Sequence, residues 1–140
     1  MMKNQAITKR SPSQNSKSAI RLTLISLFQK APKPLTVVEI RKQLLKMGIV
    51  RNKTTIYRQI DNLLRHKIIT KLDLSTRAIH YEISNQPHHH HLICLGCQKI
   101  QTIKSIPLET SIIKLNSRLH HGFKITKHQV EFYGWCKNCR

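Results

Sequence analysis

Between Pro87 and Cys97 the chain reads PHHHHLICLGC, which places four histidines and two cysteines within eleven residues. Near the other end Cys136 and Cys139 repeat the C-x-x-C spacing of Cys94 and Cys97. Each C-x-x-C turn offers two thiolates, and the two turns together make the four soft ligands of a closed tetrahedral zinc site. Such a site is structural, because no position is left open for a reacting water. Four free thiols are the plain alternative, but two pairs with turn residues between them seldom arise without a metal. A redox role fits less well, since neither pair opens a helix in a βαβ setting.

The histidine run is internal and leads directly into a strand-like segment, unlike a purification tag. If a strand begins near His89, its period of two sends His89 and His91 to one face and His88 and His90 to the other. Two different metal sites could then share one strand. Across Asn85-Gln86-Pro87, His80 and Glu82 also lie two apart. The side chains of His80 and Glu82 thus share a face that could meet His89 and His91, which would make an interdomain divalent site. His88 and His90 need partners from elsewhere, and Glu109 and His128 are the candidates for this second site. The plain alternative is a solvated histidine patch that binds metal loosely. His66, His120 and His121 have no partner pattern and read as surface or capping residues.

Regular elements must position these groups. Ile20, Leu24, Leu27 and Phe28 recur at helical spacing, and Pro32 and Pro34 must end that first helix. Thr36-Val-Val-Glu39 has the spacing of a capping box, with Ile40, Leu44 and Leu45 on one face and Gly48 closing a helix over about 36–47. In NKTTIYRQIDNLLRH either Asn52 or Thr54 can cap a third helix that buries Ile56, Ile60, Leu63 and Leu64 and leaves Tyr57 and Arg58 free. IITKLDL and AIHYEI then read as a hairpin turning at Ser75-Thr76-Arg77. Three helices and a hairpin spell a winged helix-turn-helix, whose third helix enters the major groove while wing and arm reach flanking phosphates or the minor groove.

The domains expected are a flexible basic arm over residues 1–17, the winged helix over 18–84, a hinge at 85–87 and a metal-binding unit over 88–140. In that last unit HLICL and KIQTI read as strands around the first C-x-x-C. Leu108, Ile112, Leu115 and Leu119 stripe a helix after Pro107, and KITKHQVEFYGW reads as a final strand. The fold class is α+β, a winged-helix domain followed by a small α/β domain with too little core to stand without metal or dimerisation.

Charge agrees with a polyanionic partner. The 140 residues carry 25 Lys+Arg against 6 Asp+Glu, a net charge of +19, which disfavours a neutral small-molecule substrate. No run approaches a membrane helix and the start lacks a signal-peptide core, so a cytoplasmic location is expected.

This constellation resembles the ferric uptake regulator family, in TTIYRQIDNLL, HYEI, HHHHLICLGCQKI, HGFKITKH and EFYGWCKNC, over nearly the whole chain. The resemblance implies a metal-dependent repressor of metal-homeostasis genes that binds a palindromic AT-rich operator as a homodimer, and it implies no enzyme activity. It places structural zinc on Cys94, Cys97, Cys136 and Cys139, a regulatory ion on Glu82, His89 and His91, and a second-site ion on His88, Glu109 and His128. His90 stands where many members carry Asp. The resemblance also places Tyr57 and Arg58 at DNA, joined by Arg51, Lys53, Thr54, Thr55 and Arg21. Two positions depart from the pattern. Pro34 stands where many members have a ligand histidine, so either His80 substitutes or the site is three-coordinate plus water; and SKSAIR replaces the usual opening of helix one.

The regulatory ion is expected to be Zn2+ or Fe2+, with Mn2+ and Ni2+ as further candidates. The nitrogen-rich donors lean towards zinc, and with it the zinc uptake regulator branch. Two other function classes compete. A zinc-ribbon nucleic-acid-binding protein would need only the cysteine pairs, but leaves the winged helix unexplained. A zinc metalloenzyme acting on nucleic acid needs an open metal position beside a general base, as in HEXXH, and that motif is absent.

Overall fold

Helix α1 (Lys17–Lys30) forms because Ile20, Leu24, Leu27 and Phe28 stack on one face, and all four are buried. These come from a computed structural model that describes residues 17–104, 106–118, 124 and 126–140. The arm expected over residues 1–17 lies outside the described residues except for Lys17, as do Leu119, His120 and His121.

After α1 the chain makes β1 (Leu35–Thr36), a two-residue strand that leads directly into α2 (Val37–Lys46). Thr36 caps α2 as the spacing predicts. Its side chain accepts from the Glu39 backbone N–H, and the Thr36 N–H donates to Glu39 Oε2 at 2.8 Å. Burial alone would raise the Glu39 pKa, but the Lys33 ammonium and the Thr36 donors outweigh it and hold the carboxyl below its usual range. A depressed carboxyl contributes stability above the ordinary carboxylate pKa and loses it as pH falls through the folded value. Thr36→Ala is therefore expected to cost about 1 kcal/mol at pH 7 in urea denaturation. The gap to wild type should narrow in acid, where the Glu39 half of the box is lost in both proteins.

Asn52, not Thr54, caps α3 (Lys53–Arg65) by accepting from the Thr55 N–H. Ile56, Ile60 and Leu63 are buried as the stripe predicts. Strands β2 (Ile69–Leu72) and β3 (His80–Ile83) follow, and the sheet runs β1-β3-β2, antiparallel throughout, with Thr36 opposite His80 and Thr70 opposite Glu82. The helices pack on this sheet through one apolar cluster that includes Leu24, Phe28, Ile40, Ile60 and Tyr81. This is a winged helix-turn-helix.

The second sheet has the order β5-β4-β6, built from β4 (His90–Cys94), β5 (Ile100–Ile103) and β6 (Glu131–Gly134). β4 is antiparallel to β5 and parallel to β6. Helix α4 (Leu108–Arg118) lies between β5 and β6 in the chain.

The structure departs from expectation in several places. The hairpin strands are shorter than IITKLDL and AIHYEI, because beyond Leu72 the chain leaves the first sheet to bury Leu74 with Ile93 and Ile100 of the second. The wing tip is thus tied to the second sheet, and the Arg77 N–H donates to Gln98 Oε1. The final strand spans only Glu131–Gly134, and residues 126–130 are irregular, so His128 lies in the approach to β6 and not on a strand. Leu45 and Leu115, expected in buried stripes, are about half exposed, because nothing among the described residues covers those flanks. Among the described residues no helix is long and apolar enough to cross a membrane.

Candidate metal centres

The two C-x-x-C turns meet. Cys94 ends β4, Cys97 closes the turn before β5, and Cys136 and Cys139 follow β6, whose pairing with β4 sets Gly134 opposite Cys94. All four Sγ atoms lie within 4.8 Å of one another, and Cys97 Sγ is 3.8 Å from Cys136 Sγ. Tetrahedral zinc with sulfur at about 2.3 Å sets its ligands roughly 3.8 Å apart. Backbone N–H groups, led by that of Cys136 at 3.3 Å, favour the Cys94 thiolate and lower its pKa to about 6. Crowding by the Cys136 and Cys97 thiols pushes Cys139 up to about 12. Four thiolates cannot ionise together at this spacing without a cation among them.

Gly96 was not singled out from sequence, yet its place is fixed by this cluster. A Cβ there would sit 3.0 Å from Cys139 Sγ and 3.1 Å from the Trp135 ring. Glycine inside a C-x-x-C turn was the available signal.

Glu82, on β3, meets His89 and His91, which come from the approach to β4 and from β4 itself. His89 Nε2 is 3.1 Å and His91 Nε2 3.3 Å from Glu82 Oε2. Tetrahedral zinc with nitrogen and oxygen at about 2.0–2.1 Å sets its ligands roughly 3.3 Å apart. The protonation pattern points the same way. His89 Nδ1 faces the Pro87 carbonyl at 2.9 Å, which can only accept, so in a neutral ring Nε2 carries a lone pair towards a carboxylate. A ring protonated at both nitrogens would instead donate to Glu82, so either a proton or a metal ion lies between the pair. Among the described residues neither buried ring nitrogen of His91 has a well-aligned hydrogen-bond partner, although Nε2 lies within ion-pair distance of Glu82. Burial would raise the Glu82 pKa, but the His91 and His89 imidazoles outweigh it and hold the carboxyl low.

His80 is not brought into this set. It shares the Glu82 face of β3, but two residues of strand separate the Cα atoms by about 7 Å, and its Nδ1 lies 3.3 Å from Thr76 Oγ1 instead. Burial lowers its pKa. Pro34 is fully buried and offers no donor.

On the opposite side of β4, the ligand atoms of His88, His90 and His128 converge within 4.8 Å. His90 Nε2 is 3.2 Å from both His88 Nε2 and Glu109 Oε1. Burial, then the neighbouring imidazoles of His128 and His90, lowers the His88 pKa and favours its neutral, ligating form. Buried nitrogens of His90 and His128 lack partners here too. A cavity of about 140 Å³ is lined by members of both sets, Glu82, His89 and His91 with His88 and His128. Strand β4 begins at His90 and not near His89, so the approach loop and the strand together divide the histidines as the period of two anticipates.

Of the expected DNA residues, Lys53, Thr54, Tyr57 and Arg58 are exposed on α3, Arg21 is exposed on α1, and Arg51 and Thr55 are half-buried. The Lys53 ammonium lies 6.0 Å from the Tyr57 ring centre. His66 is the C-cap residue of α3, and its Nδ1 lies 2.8 Å from the Asn62 carbonyl, the capping role expected of it.

Residues 14–133 match the ferric uptake regulator family. The ferric uptake regulation protein of Campylobacter jejuni subsp. jejuni is 36% identical over 98 residues, 68% of this chain and 57% of that protein, so the match spans little more than half of that relative. The protein of the same name from Synechococcus elongatus is 31% identical over 126 residues, 86% of this chain and 82% of that one. Among solved structures, the ferric uptake regulator of Helicobacter pylori superposes with a TM-score of 0.74 at 25% identity, covering 91% of this chain and 86% of that one.

Proposed function

The chain belongs to the ferric uptake regulator family, and from that premise we propose that it is a metal-dependent DNA-binding repressor, acting as a homodimer on genes of metal homeostasis. The observation that carries this reading is the convergence of Glu82, His89 and His91, whose donor separations of 3.1 and 3.3 Å suit a tetrahedral ion. The Helicobacter pylori relative is described as having three functional metal-binding sites, and three donor sets occur among the described residues of this chain. We assign structural Zn2+ to the four cysteines and a regulatory Zn2+ or Fe2+ to Glu82, His89 and His91, with Mn2+ and Ni2+ as competitors. His88, His90, His128 and Glu109 make a further nitrogen-rich site.

The ion, when bound, supplies the attraction that holds β3 to the start of β4. Everything downstream is done by the chain. Glu82 is in β3, β3 pairs with β1, and β1 runs without a loop into α2. The Ser84 N–H donates to the Ile68 carbonyl just beyond α3, so the same strand also sets the angle of that helix. Fixing Glu82 thus fixes where Lys53, Thr54, Tyr57 and Arg58 stand relative to the second sheet, and in a dimer relative to the other recognition helix. The family is one of dimeric DNA-binding regulators, and Leu115, Phe132 and Trp135, exposed in a single chain, are the groups that a second copy would cover.

The test is a titration of the zinc-loaded protein with Zn2+, Fe2+, Mn2+ and Ni2+ while binding to a palindromic AT-rich duplex is followed at moderate salt. One ion is expected to sharpen binding by roughly 5–150-fold, the usual range of an allosteric coupling. Binding that ignores every ion would sink the sensor reading.

A further inference from the structure

Leu74, in the wing between β2 and β3, is fully buried, yet not in the core of its own domain. It joins Leu72 in a cluster with Ile93 of β4 and Ile100 of β5, separate from the apolar cluster that holds the helices to the first sheet. Leu72 and Leu74 alternate with exposed Lys71, Asp73 and Ser75, so the strand period carries on past β2 with its apolar side turned to the second sheet. Two polar contacts flank the leucines. The Arg77 N–H reaches Gln98 Oε1 at 3.4 Å, and the Ser75 hydroxyl faces that of Tyr133 on β6. Ser75 and Gln98, which stand on the two sides of this contact, both hold left-handed backbone, with φ of 51° and 59°. Residues other than glycine keep that conformation where the packing around them demands it.

The hairpin therefore meets β4 at two points. Glu82 and Leu72 lie on one face of the paired strands β2 and β3, because Thr70 stands opposite Glu82 and Leu72 opposite His80. His89, His91 and Ile93 lie on one side of β4 and its approach, by the same period of two. The first point joins Glu82 to His89 and His91, and the second joins Leu72 and Leu74 to Ile93, two residues further along. One point of attachment leaves a hinge free to rotate, whereas two fix it. Only the first point requires an ion. The second is an apolar contact, whose strength does not depend on whether the donors are occupied.

We infer that the wing is an interdomain strut and that Leu74 is a positioning residue for the regulatory site: buried against Ile93 and Ile100, it keeps Glu82 beside His89 and His91 before an ion arrives. This deepens the metal-sensing reading above and rests on it. A donor set held together in advance binds its ion more tightly, because apparent affinity scales with the fraction of molecules in the competent arrangement. Removing the leucine lowers that fraction and leaves the donors themselves untouched. Zn2+ affinity and metal-free duplex affinity then fall by the same factor, since both draw on one closed population, and saturating Zn2+ restores the duplex affinity.

Zn2+ is titrated calorimetrically into the full chain with its cysteine site already loaded, in wild type, Leu74→Ala and the volume-conserving Leu74→Met. The step read is the one that Glu82→Gln abolishes. Duplex affinity is measured for the same proteins without and with saturating Zn2+, and methyl cross-relaxation between Leu74 and Ile93 or Ile100 is recorded in wild type lacking the regulatory ion. The expected result is cross-peaks in wild type, Zn2+ affinity about tenfold weaker in Leu74→Ala, and affinity near wild type in Leu74→Met. A merely structural role would lower the melting temperature of Leu74→Ala and leave its Zn2+ affinity unchanged, and that outcome overturns the strut. Absence of the cross-peaks, or of any such Zn2+ step in wild type, overturns it too. If Leu74→Ala does not fold or loses its cysteine zinc, the cross-peaks decide alone. If duplex binding by wild type ignores Zn2+, the sensor reading fails, while the strut is still decided by the Zn2+ step and the cross-peaks.

Discussion

Cys94→Ser is expected to lose one zinc per chain, to melt the second sheet at a temperature where wild type is folded, and to dissociate the dimer. Cys94 is buried at the end of β4, and its thiolate is the one that the backbone amides favour, so it is the ligand for which a hydroxyl substitutes worst. Among the described residues the second sheet has little else to hold it. Its buried apolar residues among those described, besides Cys94, are Ile93 and Ile100, which pack on Leu72 and Leu74 from the wing. Each contributes about 1.5–3 kcal/mol, against roughly 10–16 kcal/mol of apparent binding free energy for structural zinc in zinc-finger peptides. The winged helix, with thirteen residues in its apolar cluster, should survive. Two separate transitions by circular dichroism, the earlier one zinc-dependent in wild type, are the expected record. A variant that keeps its zinc and melts in one step with wild type would show that the four thiols are not a structural site.

Glu82→Gln should leave the fold intact and abolish the response of DNA binding to the regulatory ion. Glu82 is the one anion among the three donors, and its side chain is 12% exposed, so water replaces it poorly. The amide keeps the shape and can donate to the lone pair of His89 Nε2, which removes the acceptor conflict without a cation. Metal-stimulated affinity should fall by the whole coupling factor, about 5–150-fold, while zinc at the cysteines and the melting temperature stay near wild type. A variant with undiminished ion response would move the sensor to the histidines on the other side of β4. The pH dependence has a definite sign. Because the Glu82 carboxyl is held low, it remains a carboxylate in mild acid, so acid competes with the ion at the imidazole donors. Acidification should therefore release the ion and then the DNA in wild type, and leave DNA binding by Glu82→Gln at its metal-independent level.

The helices were legible from local pattern. The stripes of α1 and α3, the Thr36 to Glu39 box and the stop before Pro32 depend on neighbours within a turn or two. The two C-x-x-C turns were legible for the same reason, each being a short-range device. What was misread depends on distant surfaces. The hairpin strands were drawn too long because Leu74 looks like a strand residue and is in fact a wing residue buried against β4 and β5. Leu45 and Leu115 obey the helical period and still face solvent, since periodicity says which face is apolar and not whether anything covers it.

The sequence by itself determined the ligand types, their spacing, the parity that divides the four histidines into two pairs, and the charge that calls for a polyanion. Only the tertiary structure decided which donors meet. Parity put His80 and Glu82 on one face, but a strand repeat of about 7 Å lets only one of them reach His89 and His91, and that one is Glu82. The Pro87 carbonyl that orients His89 and the lack of room for a side chain at Gly96 beside Cys139 are likewise long-range or main-chain relations. Residue types carry the chemistry, but convergence to within a bond length or two is a property of packed elements, and no spacing along the chain encodes it.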